Sequence, residues 1–261
     1  MLNYALRRLA ILPLVILALT LMIVGLLQFL PPAQRAVSFI KSENQMRNLD
    51  LIIKENGLDQ PFYVQYGNWL KNALSGNLGF SKASNLPVLA TIVQRFPATF
   101  ELAIFACLLI LPLAIWLGTL SALGKDRLLD QVIRVLSVIG YSLPTFVVGI
   151  LLLVVFYGAT GLLPGFGRTN TVLAITDPVP VVTGMITVDS ILAGKWNVLL
   201  NALQHMILPV ITLATIQVAS TLKVMRNQLL DVLKSDYVRT ARAKGLAPRV
   251  VHLKHARRNA I

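Results

Sequence analysis

The chain has 261 residues, of which 56% are hydrophobic and only 13% charged, and its formal net charge is +13. Soluble domains carry about 25% charged residues, so this composition excludes an ordinary soluble globular protein and points to the membrane. The single cysteine, Cys107, excludes an intramolecular disulfide and a thiolate zinc site, and His205, His252 and His255 lack metal-ligand spacing apart from the i,i+3 pair His252 and His255, which has no supporting carboxylate.

Arg7 and Arg8 precede an uncharged run over residues 9–30. As a helix this run reaches roughly 33 Å, enough for a hydrocarbon core of about 30 Å. A secretory leader has a much shorter apolar core, so residues 1–30 read as a retained first transmembrane helix with a cytoplasmic N-terminus, ended by Pro31 and Pro32. Residues 31–97 read as an extracytoplasmic loop region of short helices, broken at Gly57, Pro61, Gly67, Gly76 and Gly79. The basic residues in it do not overturn that orientation, because long loops are weak topology determinants.

Residues 98–261 hold three further spans. The second covers about 98–123, with Glu101 near its outer end and Pro112 within it. Residues 125–134 form a short charged loop on the inner side. The third span covers about 135–163 and should kink where Gly140, Ser142 and Pro144 interrupt it. Residues 164–204 return outside with turn-forming Pro and Gly. The fourth span, about 205–222, is the most polar of the set, with Thr212, Thr215, Gln217 and Ser220. Polar side chains at membrane depth glue helices together or line a path. These four and Glu101 are therefore candidates for a translocation path, with helix packing as the competing reading. Glu101, placed near a helix start, also reads as a stabiliser of that N-terminus. Four spans bring both termini to the cytoplasm.

Residues 223–261 carry ten Lys or Arg against Asp231 and Asp236, as the positive-inside bias expects of a cytoplasmic segment. Leu230, Leu233, Tyr237 and Ala241 form one helical stripe. Gly245 suits the left-handed position that ends a helix, and Pro248 discourages continuation. Leu246, Val250 and Leu253 make a second stripe, so the segment reads as two short helices around a glycine hinge. The bland alternative is a solvated loop on the lipid headgroups. Gly118 with Gly124-Lys125 imitates a phosphate loop, but the spacing is one residue too long and Asp126 stands where a hydroxyl is needed. No nucleophile-elbow or zinc-protease motif is present. The chain is therefore read as a non-enzyme without a cofactor, and any ATP hydrolysis belongs to a partner. The residues leave three readings open: a subunit driven by a soluble motor, a channel or secondary transporter, and a membrane-anchored binder of anionic lipid or nucleic acid. The second would need an intramembrane charge relay, for which only Glu101 is available.

The run Asp236-Tyr237-Val238-Arg239-Thr240-Ala241-Arg242-Ala243-Lys244-Gly245-Leu246 resembles the EAA-type cytoplasmic coupling loop of binding-protein-dependent ABC importers. More narrowly, it resembles the permease subunits of the oligopeptide/dipeptide and nickel family. Further matches follow in family order: Gly57-Leu58-Asp59-Gln60-Pro61, Gly76-Asn77-Leu78-Gly79-Phe80-Ser81, Pro97-Ala98-Thr99-Phe100-Glu101-Leu102, Ser142-Leu143-Pro144-Thr145-Phe146, and His205 with Leu208-Pro209. Two positions depart from the general loop motif, Arg239 where it has glutamate and Thr240 where it has its first alanine.

The resemblance implies an all-α polytopic membrane protein, the transmembrane domain of a type I ABC importer, with a coupling loop over 223–261. It implies a permease subunit for ATP-driven, binding-protein-dependent import of peptides or similar small solutes. Tyr237, Ala241 and Gly245 would shape a short helix that docks into a groove on a cytoplasmic ATPase. Arg239, Arg242 and Lys244 would contact its surface, with Asp236 and Thr240 on the same helix. The implied partners are a second permease subunit, two ATPase subunits, an extracytoplasmic solute-binding protein and the lipid bilayer of the cell membrane, with no nucleic acid. Family members continue through two further spans past the position of Ile261, so the chain is expected to be a shortened member, transport-incompetent by itself.

Overall fold

The computed structural model describes residues 2–39 and 48–260, and the chain divides into two compact units, Met1–Arg95 and Phe96–Ile261. Part of the expected loop region, residues 40–47, lies outside the described residues.

In the first unit, α1 (Leu2–Leu27) carries the apolar stretch Leu6–Leu27, long enough to cross a membrane and with no fully buried residue. It ends earlier than expected. The N–H groups of Gln28, Phe29 and Leu30 turn back onto the carbonyls of Gly25, Leu26 and Leu27, a tightened last turn that satisfies the helix terminus before Pro31. Pro32 opens α2 (Pro32–Ala36) at the position where a missing N–H costs nothing. After α3 (Leu49–Glu55) comes the amphipathic α4 (Phe62–Leu74). It lies against α1, where the Tyr66 hydroxyl meets Thr20 Oγ1 at 3.0 Å and Gln65 Oε1 accepts from Gln28 Nε2 at 3.1 Å. Phe62, Tyr66 and Trp69, at helical spacing, form a continuous ring stack on α4. A short antiparallel pair, β1 (Phe80–Ser81) with β2 (Leu86–Pro87), was not foreseen among the short helices.

The remaining elements are all helices, a few long and the rest short. In chain order they are α5 (Val88–Leu123), α6 (Leu128–Ser142), α7 (Thr145–Leu152) extended by a π-helical turn (Leu153–Ala159), α8 (Thr171–Thr176), α9 (Ile186–Leu192) and α10 (Trp196–Val232). They are followed by α11 (Asp236–Ala243) and a return arm of α12 (Pro248–Val250), a π-helical turn (Val251–Ala256) and α13 (Arg257–Ala260). Leu6–Leu27, Val88–Leu123 and Trp196–Val232 are each long and apolar enough to span a membrane. The pair Leu128–Ser142 and Thr145–Ala159 adds a fourth span if counted as one, bent by 98°.

Several boundaries differ from the sequence reading, each for a physical reason. Helix α5 starts at Val88 rather than near 98, because Pro97 has helix-compatible φ and removes only one backbone hydrogen bond. Helix α10 covers Trp196–Val232 rather than 205–222. Lys223 and Arg226 mark the edge of the apolar layer, but charge does not end a helix. The expected loop over 125–134 shrinks because α6 already begins at Leu128. Asp126, at φ +63°, makes the turn, and its N–H binds the Asp130 carboxylate. The expected kink is a 98° break. Leu143 is extended (φ −85°, ψ 127°), as the residue before a proline prefers, and Pro144 starts a new helix direction. The single stripe from Leu230 to Ala241 is likewise divided, since α10 ends at Val232 and α11 begins at Asp236.

Small residues let these helices approach closely. A Cβ built on Gly118 of α5 would lie 2.9 Å from Met225 Cβ and 3.1 Å from the Leu222 carbonyl oxygen of α10. On α6, a Cβ on Gly140 would sit 3.2 Å from the Thr215 carbonyl oxygen. Ala106, Ile110, Ala114, Ile133, Ala214, Val218 and Leu222 form the core where α5, α6 and α10 meet.

Candidate functional site

Helix α11 has two faces. Val238, fully buried, and Ala241, nearly so, point into a core with Met225 and Leu229 of α10, Ala122 of α5, and Val251, Ala256 and Ala260 of the return arm. The other face is charged and open. Arg239, Thr240, Arg242 and Lys244 are exposed, as is Asp236 in the first turn. The Arg239–Asp236 pair, at 3.6 Å between largely solvated side chains, contributes little to stability.

The helix ends as its glycine predicts. Gly245 has φ +77°, its N–H binds the Arg242 carbonyl at 2.9 Å, and the Leu246 N–H reaches the Ala241 carbonyl at 3.4 Å. This is a Schellman closure, with the left-handed residue supplied by the one type that adopts it freely. The chain then reverses into the return arm, so the two expected helices around a glycine hinge are observed. Tyr237 is placed differently from the expectation. It is 44% exposed, and its hydroxyl accepts from Asn259 Nδ2 at 3.2 Å. The buried stripe keeps Ala241, with Leu230 and Leu233 packed beside it, but has Val238 in place of Tyr237. The spacing of Val238, Ala241 and Gly245, three then four, was the available signal. Burial, followed by the charge of Arg242, holds the His252 imidazole of the return arm below its ordinary titration range.

A polar junction missed in the sequence lies where α5, α6 and α10 meet beside this core. Asp130 of α6, fully buried, takes a two-pronged contact from Arg226 of α10, Nε to Oδ1 at 2.9 Å and Nη2 to Oδ2 at 2.8 Å. Ser121 Oγ of α5 donates to Oδ1 at 2.5 Å, and the Asp126 N–H donates to Oδ2 at 3.1 Å. Arg226 Nε also reaches Ser121 Oγ at 3.0 Å. Counting Asp130 among loop charges hid it, although Asp130 and Ile133 already share a helical face. Beside this junction a cavity of about 750 Å³ opens between α6 and α10. Its lining includes Arg134, Ser137, Tyr141, Ser220, Lys223 and Asn227.

The candidate path residues are dispersed. Thr212 and Thr215 return their hydroxyls to the Leu208 and Ile211 carbonyls of their own helix. Both pack against glycines, Thr212 at Gly149 and Thr215 at Gly140, as helix-packing residues do. Gln217 is exposed, and Ser220 alone of the five lines the cavity.

Glu101 is buried at the far end of the unit, and α5 begins well before it, so it does not stabilise the start of its own helix. It accepts instead from the Thr187 N–H at 2.7 Å and the Thr187 hydroxyl at 2.6 Å, capping the start of α9, and from Arg168 Nη2 at 2.7 Å. Arg168, read only as a loop charge, also donates to the Gly184 carbonyl at 2.9 Å.

Asp189 completes this end by accepting from the N–H groups of Val182, Thr183 and Gly184 and from the Thr183 hydroxyl. Burial pushes its carboxyl up, but these four donors outweigh that and hold it below the ordinary value of 3.8. A depressed folded-state value gives stability that is complete above the unfolded value and lost as pH falls through the folded one. Amide hydrogen exchange at Thr183 and Gly184 should therefore accelerate below pH 3.8 beyond its intrinsic pH trend. An Asp189→Asn variant should already exchange fast at neutral pH. Equal protection of variant and parent at neutral pH would refute the cradle.

Residues 111–261 match the family described as binding-protein-dependent transport system inner membrane component, and residues 1–103 match the N-terminal region described for the same membrane components. Among curated relatives, a probable D,D-dipeptide transport system permease protein of Escherichia coli (strain K12) is 42% identical over 210 residues, which cover 80% of this chain and 61% of that protein. A dipeptide transport system permease protein of Alkalihalophilus pseudofirmus is 34% identical over 100% of this chain and 77% of its own length. A glutathione transport system permease protein of Escherichia coli O6:H1 is 33% identical, over 100% of this chain and 74% of that one. The matched stretches thus span about three fifths to three quarters of these relatives. With both of its segments matched, the chain belongs to the family of inner membrane components of binding-protein-dependent transport systems.

Proposed function

We propose that the chain serves as a permease subunit of an ATP-driven importer of dipeptides or similar small solutes, with α11 as the helix that receives motion from a cytoplasmic ATPase. The observation that carries this reading is the division of α11 into a buried apolar face and an open basic face. The first fixes it to the ends of α5 and α10, and the second leaves Arg239, Arg242 and Lys244 free to meet a partner. A helix held this way cannot move without moving the membrane helices beneath it.

In this arrangement the basic end of the second unit faces the cytoplasm, and the N-terminus lies on the same side of the cell membrane. A second permease subunit completes the pathway, two ATPase subunits dock on the paired coupling helices, and an extracytoplasmic binding protein delivers solute to the end that holds Glu101 and Asp189. Ser220 and the cavity beside it form the inner part of the path. Thr212 and Thr215 serve as packing residues. The chain contributes no catalytic group.

Co-purification with the ATPase subunits tests this. Gly245→Pro is incompatible with φ +77°, and Ala241→Asp puts a charge into the shared core. Both should abolish ATPase retention, whereas Arg239→Ala should weaken it and make it more salt-sensitive. Undiminished retention in both of the first two variants would defeat the assignment.

A further inference from the structure

The Ser121–Asp130–Arg226 junction has a position that the coupling reading does not account for. Its three side chains come from α5, α6 and α10, and Asp130 is saturated, both oxygens taken by donors from three segments. Arg226 follows Met225, whose side chain enters the core that holds α11. Gly118 of α5 crosses α10 at that same Met225. The coupling core is thus bonded directly to α5 and α10 but not to α6, none of whose residues it includes. Near this end α6 is tied to the other two by the ionic junction and, one turn on, by the apolar packing of Ile133 in the core with Val218 and Leu222. The Gly140–Thr215 contact continues the pairing of α6 with α10 farther along.

We infer that Asp130, Arg226 and Ser121 are positioning residues of the transport cycle, a clamp that makes α6 follow the coupling helix. The inference rests on the proposed role of α11. A guanidinium held at two nitrogens by one carboxylate resists both sliding and rotation, which a single hydrogen bond or an apolar contact does not. Burial strengthens that geometry, because displacing α6 would strand a carboxylate away from water. The clamp thereby carries a displacement of α11 past the 750 Å³ cavity that α6 and α10 line together, so the cavity wall moves as one piece.

The test uses the full-length subunit in complex with its ATPase subunits, in a Cys107→Ser background. Spin labels are placed on Leu136→Cys of α6 and Arg258→Cys of the return arm, both exposed positions. The distance between labels is measured without nucleotide and after trapping with ATP and vanadate. In the parent, α6 follows the arm, so a single narrow distance should persist in both states. In Asp130→Asn and Arg226→Lys the distance should shift on trapping, with ATPase subunits still retained. Ser121→Ala, which removes one hydrogen bond and tests the clamp if the charged-site variants fail to assemble, should broaden the distribution. A purely structural staple would lower the yield of complex without creating a state-dependent distance. The inference is overturned if the parent distance itself shifts on trapping, or if the assembled variants keep the parent's constant distance. Failure of the parent to retain any ATPase would instead overturn the role of α11, and the clamp with it.

Discussion

Replacing Glu101 by alanine should release the loop between α7 and α9 and lower stability by about 3 kcal/mol. Removing this carboxylate strands the buried Thr187 N–H and hydroxyl, and unsatisfied buried donors cost about 1–3 kcal/mol each. Arg168 loses its anion too, but its side chain is 43% exposed, so water recovers much of that part. Thermal unfolding in detergent should show the loss. Trypsin should also cleave after Arg168 in the variant, where the parent is protected. Glu101→Gln separates the contributions, since its amide oxygen can still accept from Thr187 while its NH2 group opposes Arg168. It should fall between parent and alanine. A glutamine variant as damaged as alanine would assign the whole effect to charge, and an alanine variant as stable as the parent would remove Glu101 from any structural role.

The second large effect is expected at Gly118. A leucine there places its Cβ 2.9 Å from Met225 Cβ and Cγ and 3.1 Å from a backbone carbonyl that cannot swing aside. The helices must part, and overpacking of this kind costs about 1–3 kcal/mol. Because Met225 belongs to the core that seats α11, ATPase retention should fall together with the melting temperature. Gly149→Ala is the control, since its added methyl meets Thr212 Cγ2 at an ordinary 3.4 Å and should change little. If Gly118→Leu melts with the parent and keeps its partners, the α5–α10 crossing does not constrain the coupling core.

Much of this architecture was legible before any coordinates. Long apolar runs mark spans because a membrane helix must bury twenty or so residues in hydrocarbon, and Gly245 marks the hinge because few other residues adopt positive φ. What stayed hidden was pairing across distance. Glu101 and Arg168 are 67 positions apart, and Asp130 and Arg226 are 96 apart. Local spacing says nothing about partners so remote. Helix ends were misplaced where the apolar layer stops but the helix does not, as at Lys223 and Arg226. Spacing from Leu230 and Leu233 points to Tyr237 rather than Val238 because it assumes one continuous helix, whereas the helix breaks between Val232 and Asp236. In the structure the ring lies at the rim, and the smaller residue fits under the crowded return arm.

The first helix is unlike all of these. No residue of the Leu6–Leu27 window is fully buried by its own chain. Toward α4, Thr20 within it and Gln28 just past the helix end make side-chain hydrogen bonds, and a Cβ on Gly25 would lie 4.0 Å from the Phe62 ring. Where a helix is judged by lipid rather than by neighbours, leucine, isoleucine, valine and methionine are nearly interchangeable, and only total length and apolarity are under selection. Residues such as Leu14, Leu17 and Met22 should therefore drift freely among orthologous chains while Thr20, Gly25 and Gln28 change slowly. In an alignment, the record of this helix's docking would survive as three slow positions in an otherwise fast-evolving segment.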